Sequence, residues 1–187
     1  DIEKGDEKEV VTGFLYCQRE WAERMQPAYL ARFSVDLGEA HEAAMGEHSY
    51  KLMRGARRFD LGNYNFVAAA AVDASMQYLL QLGTRAIERY VVGLSHVLAR
   101  GFLDLGFPVC GGLPGPHLAG IVTVGQIGAG SHYGSDDERL NRLYNHLAEN
   151  RVKLSIRRGV LRFSLHVYNN LEDVERVLDL AHGWLRQ

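Results

Sequence analysis

Between Leu161 and Val174 the chain changes its hydrophobic period from two to about 3.6, and this switch limits what it can build. Leu161, Phe163 and Leu165 alternate with Arg162, Ser164 and His166, the pattern of a strand with one buried face. Asn170 then stands where a helix N-cap belongs, ahead of Leu171, Val174, Val177, Leu178, Ala181 and Leu185 at helical spacing. The strand carries an arginine on its polar face. Held on a rigid backbone, a guanidinium offers a planar fork that matches a carboxylate.

The rest of the second half repeats the alternation of helices and short apolar runs. A helix is predicted over 66–82, capped by Asn65 and ended by Gly83, with Thr84 capping the next. That helix runs to about Leu105 with Ile87, Val91, Leu94, Leu98 and Phe102 on one stripe, and Gly106 closes it. Residues 107–110 and 117–124 read as strands around a Gly- and Pro-rich break. Ser135 and Glu138 have capping-box spacing ahead of a helix through Leu140, Leu143, Tyr144 and Leu147. Residues 153–157 and 160–166 form a predicted hairpin around Arg158-Gly159. Hairpins with helices on one face imply an α+β layer on an antiparallel sheet, not a parallel one. The first half is less regular: a charged leader over 1–9, a strand over 10–16, a brief helix over 18–25 ended by Pro27, and mostly loop over 28–58.

Composition narrows the function classes. The chain has 187 residues, enough for one large or two small domains with a real core. A formal net charge of −2 gives no electrostatic case for nucleic acid or an anionic membrane. No apolar run approaches the roughly 20 residues of a membrane span, and the charged start is unlike a signal peptide. Cys17 and Cys110 make no redox or metal motif. These features point to a cytoplasmic protein. His41-Glu42 and Glu47-His48 lack the spacing of a metal-binding helix and read as solvated, so no metal is expected. The loop Gly125-Gln126-Ile127-Gly128-Ala129-Gly130-Ser131 lacks the Lys-Ser/Thr of a phosphate loop and reads as a flexible connection.

Four segments together resemble the class V aminotransferases, fold-type I pyridoxal-phosphate enzymes that include cysteine desulfurases and isopenicillin N epimerase-like proteins. Arg162-Phe163-Ser164-Leu165-His166-Val167-Tyr168-Asn169 is similar to the family's C-terminal signature R-[FVA]-S-x-H-x-Y-N. Gly13-Phe14-Leu15-Tyr16 matches the G-[FV]-L-Y run that follows the cofactor lysine. Arg58-Phe59-Asp60-Leu61-Gly62-Asn63-Tyr64-Asn65 matches R-[FY]-E-x-G-T-x-N, with Asn63 in place of threonine. Ile87-Glu88-Arg89-Tyr90 follows the helix leading into the small domain.

The resemblance implies the C-terminal half of such an enzyme: residues 1–84 as the end of the large cofactor-binding domain and 85–187 as the small α+β domain. It implies an amino-acid substrate whose α-carboxylate is held by Arg162, with His166 on the same strand face nearby. It implies pyridoxal 5'-phosphate, with Gly62, Asn63 and Asn65 reaching the phosphate across a dimer interface. Transamination, desulfuration, epimerisation and β-elimination all fit the scaffold. The amine for a Schiff base is expected upstream. Lys4 stands nine residues before Gly13, about where relatives carry that lysine, but its neighbours Glu3, Gly5, Asp6 and Glu7 match nothing of the motif, and it reads as solvated. The other reading is a noncatalytic module that kept the small-domain fold, or a partial enzyme needing a complementary chain. Either way the apolar helix over 68–80 is expected to need a partner, a second copy or another chain.

Overall fold

The computed structural model describes residues 13–38 and 50–186. The chain divides into two compact units, residues 1–78 and 79–187, with the division falling inside one helix. Among the described residues no helix is long and apolar enough to cross a membrane.

The first unit contains the short helix α1 (Arg19–Arg24), as its apolar spacing predicts, and two pairs of residues that the sequence pattern did not reveal. Strand β1 (Val35–Asp36) pairs antiparallel with β2 (Lys51–Leu52), and a 3-10 helix follows over Gly55–Phe59. Arg58 ties these pieces together from a buried position. Its Nε donates to the Met53 carbonyl at 3.2 Å and Nη1 to the Glu23 carbonyl at 2.7 Å. A buried guanidinium must spend its donors this way, because unpaired it would cost far more than the bonds gain. The strand expected over 10–16 is absent from its described part. Residues 13–18 have no regular structure, and Phe14, Leu15 and Tyr16 stay largely exposed because no neighbouring strand offers them backbone partners.

Helix α2 (Phe66–Leu82) starts as the sequence predicts, with Asn65 Oδ1 accepting from the Ala68 N–H at 3.0 Å. Of its residues only Ala68 is buried. Phe66, Val67, Tyr78 and Leu80 are more than half exposed. Gly83 joins α2 to α3 (Thr84–Asp104). At φ +84 its N–H donates to Leu79 and Leu80 carbonyls, while its own carbonyl accepts from Ala86 and Ile87. Gly83, not Thr84, is therefore the cap of α3; a left-handed φ at the junction suits glycine and excludes a β-branched residue.

In the second unit the buried face of α3 is Val91, Leu94, Leu98 and Phe102, with Ser95 and Ala99 between them. It packs on a three-stranded antiparallel sheet in the order β3 (Ile121–Gly125), β5 (Val160–Ser164), β4 (Ser155–Arg157). The α+β layer read from the sequence is present. Leu161 and Phe163 point inward from β5 beside Val122 and Val124 of β3, and Phe102 meets the Phe163 ring at 5.1 Å. Helices α4 (Glu138–Glu149) and α5 (Leu171–Leu185) close the core with Leu140, Leu143, Leu147, Val174 and Ala181.

Several local expectations fail for identifiable reasons, and the strand expected over 117–124 begins only at Ile121. Residues 107–110 make only the single bridge Val109↔Val124, not a strand, because Gly111 and Gly112 turn the chain away at positive φ. The cap of α4 is Asp137, whose Oδ1 accepts from the Arg139 N–H at 2.8 Å. Ser135 is engaged elsewhere: its hydroxyl reaches the Ala129 and Gly159 carbonyls and accepts from the Asp137 N–H. That bridge fastens the glycine-rich loop over the hairpin turn. Gly128 donates to Arg158, Arg158 to Ser131, and Gly159 to Gly134. The loop is thus a packed cover, not a flexible connection, and Gly159 has no room for a Cβ against the Gln126 and Ala129 carbonyls.

Candidate functional site

Arg162 sits on β5, the central strand, with its backbone held from both sides: Thr123 is its partner on β3 and Ser155 on β4. Since Leu161 and Phe163 are buried, Arg162 and Ser164 project from the opposite, outer face. The row across the sheet is therefore Thr123, Arg162, Ser155, a cation between two hydroxyls with no carboxylate opposite it. Arg162 is exposed and makes no hydrogen bond or ion pair among the described residues. A rigid backbone, an open fork and hydroxyl neighbours are what a small carboxylate needs.

His166 follows the end of β5. Its N–H donates to Asn169 Oδ1 at 2.9 Å, and its ring stacks on Tyr168 with centroids 5.1 Å apart. Its Nδ1 is buried and has no hydrogen-bond partner among the described residues. The structure joins His166 to the Tyr168–Asn169 turn and gives it no hydrogen bond to Arg162. Asn169 organises this turn. Besides the bond to His166, its Nδ2 donates to Asp173 Oδ2 at 3.3 Å, and its carbonyl accepts from the Tyr90 hydroxyl at 2.7 Å. Next to it Asn170 and Asp173 exchange side-chain-to-backbone bonds in a full capping box at α5.

On the first unit, Gly62, Asn63 and Asn65 are exposed ahead of α2. Asn65 spends its side chain on Ala68, so the N–H groups of the first turn and the positive end of the helix dipole remain directed outward. An anionic group presented there would meet ready donors. Gly62 has open space around the position a Cβ would occupy. Between them Tyr64 touches Phe33 and Phe66, and a hydrogen bond to Asp60 pushes its phenol above the ordinary 10.0. Burial and the Asp60 charge add to that rise, and Arg57 opposes it.

The structure leaves Arg162, Gly62, Asn63 and Asn65 exposed, as their places on a strand face and a loop predict, while Tyr90 and Asn169, which hold the His166 turn, were not singled out for that role. Asn169 had a legible signal, since Asn three residues after His166 and four before Asp173 suits both bonds it makes. Arg58 opens the 58–65 motif, but only the fold reveals that it clamps the Met53 and Glu23 carbonyls. Lys4, His41, Glu42, Glu47 and His48 lie outside the described residues. Among the described residues no three His, Cys, Asp or Glu side chains gather where a metal could bind.

No protein-family model matches the chain. A probable cysteine desulfurase from Pyrococcus abyssi is 26% identical over 170 residues, covering 89% of this chain and 41% of that protein. Among solved structures, the cysteine desulfurase of Thermococcus onnurineus superposes with a TM-score of 0.68 at 20% identity, over 91% of this chain and 42% of the other. The cystine C-S lyase C-DES, bound to its product cysteine persulfide, gives a TM-score of 0.67 at 21% identity, over 89% and 41%. A variant of that lyase carries glycine covalently linked to its pyridoxal phosphate cofactor. The cysteine desulfurase CsdA of Escherichia coli gives 0.61 at 16% identity, over 91% and 41%. The chain thus spans about two fifths of the length of these relatives, and both its sequence and its fold match the cysteine desulfurases of the class V aminotransferase group over roughly their C-terminal 40%.

Proposed function

We propose that this chain is the C-terminal portion of a pyridoxal-phosphate enzyme that removes sulfur from cysteine or a related amino acid. Residues 1–84 would be the end of the cofactor-binding domain and residues 85–187 the small domain. The observation that carries the reading is Arg162: an unpaired guanidinium on the central strand, flanked by Thr123 and Ser155, inside the signature the relatives' family shares.

In this reading Arg162 binds the substrate's α-carboxylate with two parallel hydrogen bonds and so fixes which bonds at Cα and Cβ face the cofactor. Bound pyridoxal phosphate supplies an electron sink for the bond broken on the substrate. Across the dimer interface that the resemblance implies, Gly62, Asn63 and Asn65 at the α2 N-terminus would hold the phosphate of the cofactor bound mainly by the other subunit, with Asn63 and the helix's first N–H groups as donors. His166, whose buried Nδ1 has no partner among the described residues, is suited to hydrogen-bond a group brought against Tyr168. The exposed apolar residues of α2 support a second copy or a complementary chain as partner.

The test uses the protein with all of its encoded sequence. Purified with pyridoxal phosphate and given cysteine and a thiol reductant, it should release sulfide, and Arg162→Ala should lose most of that activity through KM. Borohydride trapping followed by peptide mass mapping should find no pyridoxyl group on Lys4. An adduct on Lys4 would give the chain its own Schiff-base lysine and overturn that part. Failure to bind the cofactor at all would favour the noncatalytic module.

A further inference from the structure

On residues 79–187 a second cleft opens at the end of the β4–β5 pairing, with Ser164 and Asn169 also in its lining. The pairing of β4 with β5 stops at Ser155↔Arg162, and beyond it residues 151–153 and 163–165 border a cavity of about 390 Å³. That is the size of a small-molecule site. Phe163, Leu165, Val174 and Val177 give it an apolar floor. Arg151, Lys153 and Arg176 stand on its rim with a single carboxylate, Asp173. Asp173 offsets one of the three, so the rim keeps a net positive charge, and its Oδ2 accepts from the Asn170 N–H and from Asn169 Nδ2.

The rim is also built, not incidental. Arg176 Nη2 donates to the Asn150 carbonyl at 3.0 Å and so fastens α5 to the turn that carries the other two cations. Arg151 has φ +63 at the end of α4, where its N–H donates to Ala148 and the next N–H, of Val152, to Leu147. Glycine takes this helix-ending position without steric cost. An arginine here strains the backbone and in return sets a guanidinium on the cleft.

We propose that this cleft binds a small carboxylate with a short unbranched apolar chain. The carboxylate meets Arg151 and Lys153, and the chain lies on Phe163, Leu165 and Val177. The site is independent of Arg162 and of the activity proposed above.

Hexanoate is the probe, with acetate and hexan-1-ol as its two halves, followed by backbone amide shifts on the protein with all of its encoded sequence. Hexanoate should shift residues 151–154, 163–165 and 177 at millimolar concentration, and each half should bind at least tenfold more weakly. Arg162→Ala should leave these shifts intact. Arg151→Gly separates a ligand role from a structural one: it should raise the thermal midpoint by relieving the left-handed backbone, yet weaken hexanoate at least fivefold. Lys153→Ala should weaken it without moving the midpoint. Absence of shifts, equal binding of hexan-1-ol, unchanged affinity in both cation variants, or loss of the shifts in Arg162→Ala would each overturn the proposal.

Discussion

Asn169 carries the turn between β5 and α5, and removing its side chain gives a clean measure of that role. Asn169→Ala deletes two bonds and leaves the third, since the Tyr90 hydroxyl is received by the backbone carbonyl. The bond to the half-buried His166 N–H is worth about 1 kcal/mol net. The bond to Asp173 is exposed and longer, and adds no more than about 0.5 kcal/mol. The expected loss is therefore about 1.5 kcal/mol, roughly a tenfold drop in the folding equilibrium constant. Urea unfolding would read it as a lower midpoint with an unchanged slope, because no surface is newly exposed in the native state. Asn169→Asp tests the assignment from the other side. It keeps an oxygen for His166 but sets a second carboxylate against Asp173, which raises the pair's protonation range. Its stability should be nearer wild type in acid and fall as pH rises through the carboxylate range. A loss under 0.5 kcal/mol in Asn169→Ala, or a pH-independent Asn169→Asp, would refute this account of the turn.

Under the proposed function, Arg162→Lys should raise KM for the amino acid by about 1.5–3 kcal/mol in binding terms, because an ammonium cannot reproduce a bidentate pair; the urea midpoint should stay put, since Arg162 has no partner to lose among the described residues. Leu161→Ala, in the centre of the sheet and fully buried, should destabilise by about 2–5 kcal/mol in the same denaturation assay. Asp60→Asn should bring the raised Tyr64 phenol back toward 10.0 in an ultraviolet titration. The same coupling makes Tyr64's contribution to stability present below its unfolded value and lost as pH rises through the higher folded one.

The second unit was legible because its signals are local. Arg158-Gly159 predicted the β4–β5 turn, and both residues do take positive φ, as a two-residue hairpin loop demands. The 161–165 alternation predicted the faces of β5, and Asn170 the start of α5. What failed depended on competition between partners far apart in sequence. Ser135 has ideal spacing for a capping box, but its hydroxyl is drawn to carbonyls of Ala129 and Gly159, and only the folded loop brings those near. Phe14, Leu15 and Tyr16 read as a strand because apolar alternation says nothing about whether another strand waits alongside. Arg162 was correctly set on an open face. His166 packs and bonds locally, with Tyr168 and Asn169, where the strand has ended and the alternation no longer governs direction.

The position of β5 in the sheet also sets the order in which the sheet can assemble. β5 meets β4 through a two-residue turn, whereas β3 reaches it only across the glycine-rich loop and all of α4. A hairpin of the first kind closes in about 1–10 μs, while the second pairing must first meet the entropy of a long loop. The strand that carries Arg162 is therefore half-paired early and completed late. Its inward residues Leu161 and Phe163 stay open to other chains until Val122 and Val124 arrive. Aggregation during refolding should accordingly track how fast β3 docks, and slow most when the loop that Ser135 fastens is the part disturbed.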